Sequence, residues 1–152
     1  MAIHEEKNKF FKNSFGIKEV ASDFIASHFK SVENLNMDTL ALQPDSFIGD
    51  ELKQLLSAVI YKVRTSDDKR DVFFLLTHQS ANDPFMPVCA LQYVSSIMSW
   101  DMKAQIDNKV PRKDVKVPVV YPFMIYSGQE PYNWPKEFSE SMQWLAFIKD
   151  RT

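Results

Sequence analysis

Apolar residues along this chain recur with a helical period in some stretches and cluster or alternate in others, so the pattern predicts both helices and strands. Lys7 to Asn13 is a basic segment carrying Phe10 and Phe11, and it reads as a short helix. From Ile17 to Phe29 the apolar positions Val20, Phe24, Ile25 and Phe29 have helical spacing. Leu35, Met37, Leu40 and Leu42 then alternate, and the second half of that segment reads as a strand closed by the turn residues Gln43-Pro44-Asp45. Ser46 to Leu56 is less regular, with Glu51 to Leu55 helical or irregular.

The clearest feature follows. Ala58 to Val63 and Val72 to Thr77 are rich in β-branched and aromatic residues, and the polar run Ser66 to Asp71 separates them, which predicts a β-hairpin with a long turn. Counting outward from the turn sets Ala58 and Thr77 near each other on strands that lie about 4.8 Å apart. Pro84-Phe85 opens a long helix, Met86 to Gln105, with an apolar stripe at Leu91, Val94, Ile97 and Met98. Lys103 to Lys116 is polar, and the nearly unbroken apolar run Val117 to Tyr126 predicts a strand covered on both faces. Ser127-Gly128 ends it. Gln129 to Glu137 reads as a loop and Phe138 to Ile148 as a terminal amphipathic helix. The order helix, helix, strand, hairpin, long helix, strand places the chain in the α/β class, with a mixed central sheet flanked by helices.

A length of 152 residues suits one domain, with residues 1–15 as an N-terminal helical segment and residues 129–152 as a C-terminal extension. The net charge of −2 gives no bulk argument for a polyanionic partner, and only 3 glycines argue against a glycine-rich phosphate loop. Cys89 is the only cysteine, so neither an internal disulfide nor a cysteine-based zinc site can form within one chain. The charged N-terminus lacks the apolar core of a signal peptide, and the apolar runs are too short to span a bilayer. The expectation is a soluble, cytoplasmic protein without membrane association.

Hydrolysis of a phosphodiester needs water activated beside a divalent cation, usually held by two or three carboxylates. A hairpin can supply one acid from each strand, and a Lys or Gln two residues beyond the second acid then shares its face. Several pieces of this chain carry a resemblance to such a protein. They are Lys7-Asn8-Lys9-Phe10-Phe11-Lys12, Ser22-Asp23-Phe24, Asp38-Thr39-Leu40-Ala41-Leu42 with Ser46-Phe47-Ile48, Ser57-Ala58-Val59-Ile60-Tyr61, Leu75-Leu76-Thr77-His78-Gln79-Ser80, and Ile125-Tyr126-Ser127-Gly128. Together they resemble the recombination-promoting nuclease family, also described as transposases, of the PD-(D/E)XK nuclease superfamily. The resemblance runs from about Lys7 to the loop around Trp134, and members of the family extend further than this chain.

The resemblance implies a restriction-endonuclease-like core, Mg²⁺ as cofactor, DNA as substrate, and a second copy or a related full-length nuclease as partner. It also exposes departures. The family's hairpin aspartate falls on Ala58, its glutamate on Thr77, its N-terminal His-Asp on Lys7-Asn8, and an early arginine of the long helix on Cys89. Gln79 is what remains of the Asp…Glu-x-Gln core. Ala58 has no ligand atom, while Thr77 and Asn8 offer neutral oxygens. The resemblance therefore implies a degenerate nuclease-like domain whose cleavage is lost or impaired. Alternatives are an active endonuclease that recruits Asp50 or Glu51 as substitute ligands, and a non-catalytic dimerisation module.

Other residues weigh less. His78 should point away from Thr77 and Gln79 and reads as a structural or surface histidine, as do His4 and His28. Cys89 reads as a small buried hydrophobe. Asp45 reads as turn chemistry. The basic residues Lys103, Lys109, Arg112, Lys113 and Lys116 are interleaved with Asp101, Asp107 and Asp114 and read as a solvated loop. Trp100, Tyr132, Trp134 and Trp144 read as core or interface aromatics.

Overall fold

A computed structural model describes residues 2–80 and 83–131, with side chains from residue 6 onward. The N-terminal segment folds as two helices, α1 (Ala2–Phe15) and α2 (Lys18–His28), and α1 is longer than the aromatic pair alone predicts. Strand β1 (Leu35–Leu42) follows a 3-10 turn at Val32–Asn34. A short helix α3 (Asp50–Leu55) leads into the hairpin β2 (Ser57–Thr65) and β3 (Asp71–Gln79). The long helix α4 (Met86–Asp107) then crosses to β4 (Val119–Tyr126).

The four strands form one sheet in the order β1-β2-β3-β4. The first two pairings are antiparallel and β3 runs parallel to β4, so the sheet is mixed, as the sequence pattern implies. A parallel neighbour needs a crossover, and α4 is that crossover. The architecture is compatible with a PD-(D/E)XK core.

Alternation along the hairpin divides the core in two. Val59, Tyr61, Val63, Val72, Phe74 and Leu76 face α1 and α2, packing with Phe11, Ala21 and Ile25. Ala58, Ile60, Phe73 and Leu75 face α3 and α4, packing with Leu56, Met86, Tyr93 and Ile97. Phe73, Phe74, Leu75 and Leu76 are fully enclosed, so β3 is the strand covered on both faces.

Three details differ from the pattern. The apolar run Val117 to Tyr126 predicts a strand buried on both faces. Its part Val119–Tyr126 forms β4, which lies at the sheet edge among the described residues, with Val119 45% and Tyr121 41% exposed. A continuous apolar run signals affinity for a core on both faces but carries no information about how many strands flank it. In β1 only Leu35 and Leu40 are buried, because the register slips between Asn36 and Ala41. At that irregularity the Arg64 N–H donates to Thr39 Oγ1 at 2.8 Å, so a hydroxyl replaces the missing ladder acceptor. Finally, α4 buries Met86, Ala90, Tyr93 and Ile97, whereas Leu91 points outward. The inward stripe includes a small residue and a phenol, which an inspection of large aliphatics overlooks.

Candidate functional site

The hairpin register sets Ala58 directly opposite Thr77, as counting from the turn predicts. Ala58 and Thr77 share the face that meets α4, and Gln79 follows on that face two residues later. All three are buried. Around Ala58 lie Ile60, Leu75 and Met86, with Cys89 packed against the same cluster. Burial pushes the Cys89 thiol up, with the Asp83 carboxylate adding to the effect, so this thiol is far from a nucleophile's ionisation.

The family resemblance implies a divalent cation, and the donor set here does not fit one. Mg²⁺ demands near-octahedral oxygen coordination with carboxylates among the ligands. Ala58 offers no atom. The Thr77 hydroxyl donates to the Phe123 carbonyl at 2.9 Å and is 1% exposed, so its oxygen is tied into the β3–β4 seam. Among the described residues no group of three or more His, Cys, Asp or Glu is arranged to hold a metal.

Asp50 and Glu51 sit in the exposed first turn of α3. The carboxylate that does share a cleft with Ala58 is Asp45, beside Gln43, Pro44 and Lys12. That cleft of about 240 Å³ opens because β1 leaves the sheet after Leu42, whose partner is Tyr61. Asp45 is paired with Lys53 at 3.6 Å. A turn aspartate gave no hint in sequence that β1 would peel away there.

Asn8 lies elsewhere. Its Oδ1 is 3.0 Å from His78 Nδ1, on the face that meets α1, and His78 Nε2 is 2.7 Å from Ser127 Oγ. His78 is buried, with its ring stacked on Phe11 at 5.2 Å. The sequence expectation for the orientation of His78 agrees with this placement, but the histidine is neither on the surface nor isolated. His28 is exposed, with Nδ1 2.8 Å from the Phe24 carbonyl oxygen one turn earlier. The side chain of His4 and residues 132–152, with Tyr132, Trp134, Trp144 and the expected terminal helix, lie outside the described residues. Trp100 stacks on Phe47 at 4.4 Å and belongs to the α4-side core.

At the other end of the hairpin, Arg64, Lys69, Arg70 and Lys116 line a cleft of about 450 Å³ together with Asp71 and Asp101. Arg64 pairs with Asp68 and Asp71. Desolvation raises the Asp101 carboxyl above its ordinary range, against a smaller lowering by the Gln105 hydrogen bond. The basic loop thus meets the hairpin turn, a juxtaposition across 46 residues from Arg70 to Lys116 that the sequence does not reveal.

Residues 5–151 match the family described as "Putative transposase, YhgA-like". Among curated proteins, the chain is 31% identical to the inactive recombination-promoting nuclease-like protein RpnE of Escherichia coli K12, over 86% of this chain and 43% of the relative. It is 28% identical to the recombination-promoting nuclease RpnD of Escherichia coli O157:H7, over 93% of this chain and 51% of the relative. It is 27% identical to RpnA of Escherichia coli K12, over 87% of this chain and 41% of that nuclease. The chain spans about half the length of the curated relatives it matches. No solved structure matches it. No helix among the described residues is long and apolar enough to cross a membrane.

Proposed function

Because the chain belongs to the YhgA-like transposase family, which matches residues 5–151, we propose that it is a nuclease-like domain in which metal-dependent DNA cleavage is lost. The observation that carries this reading is the facing pair Ala58 and Thr77. One has no donor atom and the other has its hydroxyl bonded to Phe123. Without carboxylates there is little to hold a divalent cation, and without the cation both the activated water and the clamp on the scissile phosphate are missing. Gln79 keeps its position on the site face but has no cation or nucleophile to orient. The name of RpnE, which describes that relative as inactive, is in keeping with this proposal.

DNA remains the partner this reading implies. Contact with its phosphates would fall to the cationic cleft at Arg64, Lys69, Arg70 and Lys116. Association with a second copy or with an intact relative is a further part of the proposal, as is the treatment of residues 1–152 as one domain. A site rebuilt from Asp50 and Glu51 has less support, because both are exposed on α3 while Asp45, beside Ala58, is engaged by Lys53.

The test is nicking of supercoiled plasmid in the presence of Mg²⁺ or Mn²⁺, with calorimetric titration of each ion. We expect no cleavage and no heat of binding at millimolar ion. Metal-dependent cleavage that Gln79→Ala abolishes would overturn the proposal.

A further inference from the structure

On the face of the sheet opposite Ala58 and Thr77, three polar side chains from three elements are joined in a line. His78 of β3 stands between Asn8 of α1, 3.0 Å from its Nδ1, and Ser127 just past β4, 2.7 Å from its Nε2. We infer that Ser127, His78 and Asn8 act as nucleophile, general base and positioning residue in hydrolysis of carboxylic esters that carry an apolar acyl group. This activity is separate from the lost metal-dependent cleavage and does not rest on that reading.

The hydrogen-bond chemistry sets the roles. An amide oxygen can only accept, so with Asn8 Oδ1 as partner the Nδ1 position carries the imidazole proton. Nε2 then presents its lone pair to the Ser127 O–H. Burial is distributed as such a device needs. His78 is 6% exposed beneath Phe11, which fixes the ring, whereas Ser127 is exposed and reachable. Both line a cavity of about 570 Å³ whose other walls include Phe10, Phe11, Phe15 and Ile125. A cavity of that size with mainly apolar walls and a few convergent polar groups suits a small acyl chain. Phe10, 74% exposed at its rim, has no role in either core cluster. Glu6 and Lys7 complete the polar part of the lining.

A further polar group adjoins the line. Ser57 is the register partner of His78, and its buried Oγ has no hydrogen-bond partner among the described residues. Side chains directly opposite on antiparallel strands approach to about 5 Å, so this hydroxyl stands beside the imidazole, where it can hold a water.

In the acylation step Ser127 Oγ bonds to the ester carbonyl carbon while His78 Nε2 takes the serine proton. The C–O bond to the alcohol then breaks, and the alcohol leaves with that proton. Water, deprotonated in turn by His78, attacks the acyl-serine and releases the carboxylic acid, and the proton returns to Ser127.

The test treats the full chain with a fluorophosphonate probe, maps the adduct by mass spectrometry, and follows hydrolysis of p-nitrophenyl acetate and hexanoate. We expect one adduct on Ser127 and faster turnover of the hexanoate. Ser127→Ala should remove both signals, and His78→Gln should lower hydrolysis by about 10²-fold or more. Asn8→Asp should keep activity and move the acidic limb of its pH profile upward, because a carboxylate stabilises the imidazolium and the base must be neutral to act, an effect on turnover that a merely structural contact would not produce. If the folded wild-type chain gives no Ser127 adduct, or if Ser127→Ala hydrolyses at the wild-type rate, the inference fails and the line is a packing network only.

Discussion

Replacing Ala58 by Asp and Thr77 by Glu in one chain should destabilise the metal-free protein and make its stability depend on divalent cations. The two positions are register partners, so their Cβ atoms are about 5 Å apart. Two carboxylates at that distance repel by about 3 kcal/mol at an effective dielectric constant of about 20. Ala58 is 8% exposed and Thr77 1%, and desolvating the added groups contributes about 1–3 kcal/mol more at each position. The loss of the Thr77 bond to Phe123 adds about 1 kcal/mol. The sum exceeds about 5 kcal/mol, a large part of a domain's stability, and should lower the melting temperature by about 10–20 °C. Both new acids have pKa values raised in the folded state, so the folded chain binds more protons than the unfolded one above the ordinary carboxylate range. Stability is therefore best near pH 4 and falls as pH rises. A cation present at about 100 times its dissociation constant returns about 2.7 kcal/mol. Melts from about pH 4 to pH 8, with EDTA or with Mn²⁺, read all of this, and plasmid nicking reports whether Gln79 still serves the rebuilt site. A double variant that melts with EDTA at neutral pH within about 2 °C of wild type would refute the reasoning.

Other perturbations probe the frame around that site. Tyr93 donates to the Leu56 carbonyl at 2.9 Å in the α4-side core, and burial pushes its phenol up to about 12. Tyr93→Phe should cost about 1–3 kcal/mol by orphaning that carbonyl, measured by urea unfolding with an unchanged m value. Asp101 has its folded pKa raised mainly by desolvation, so its contribution to stability declines as pH rises above the ordinary carboxylate range. Asp101→Asn can keep the Gln105 bond and should melt at or above wild type at pH 7, with the advantage vanishing in acid. Removing Lys69, Arg70 and Lys116 together should weaken DNA binding across sequences and reduce the slope of log affinity against log salt by about 2–3, read by fluorescence anisotropy.

The hairpin was legible because its two apolar strands and polar turn fix a register by counting, and the facing of Ala58 and Thr77 follows from that register alone. The edge position of β4 was not, since apolarity does not encode neighbours. The true inward stripe of α4 was obscured by Ala90 and Tyr93, whose roles depend on what they meet: a close helix–sheet approach and the Leu56 carbonyl. The His78 line joins residues 70 and 49 positions away from the histidine, and no local pattern carries such a contact. Asn8 was grouped with Ala58 and Thr77 by resemblance, yet strand alternation sends its partner His78 to the other face.

If cleavage is lost as proposed, that alternation also explains how the hairpin keeps its fold without it. In a metal-free site, opposed carboxylates on the α4 face would be a standing penalty, held in place only by function. Ala58 joins the apolar cluster, and Thr77 closes a bond to the neighbouring strand, so the neutral pair carries neither that repulsion nor the desolvation of a charge. Once cleavage is not selected, physics favours the neutral pair. The opposite face obeys another constraint. His78 is buried, and each ring nitrogen is bonded, so replacing Asn8 or Ser127 by an apolar residue removes a bond from a desolvated imidazole and costs about 1–3 kcal/mol. A neutral pair is thus favoured at positions 58 and 77, and the bonded partners of His78 are favoured on the other face. Stability therefore favours a serine–histidine–asparagine line beside an apolar cavity on one face and a neutral pair on the other.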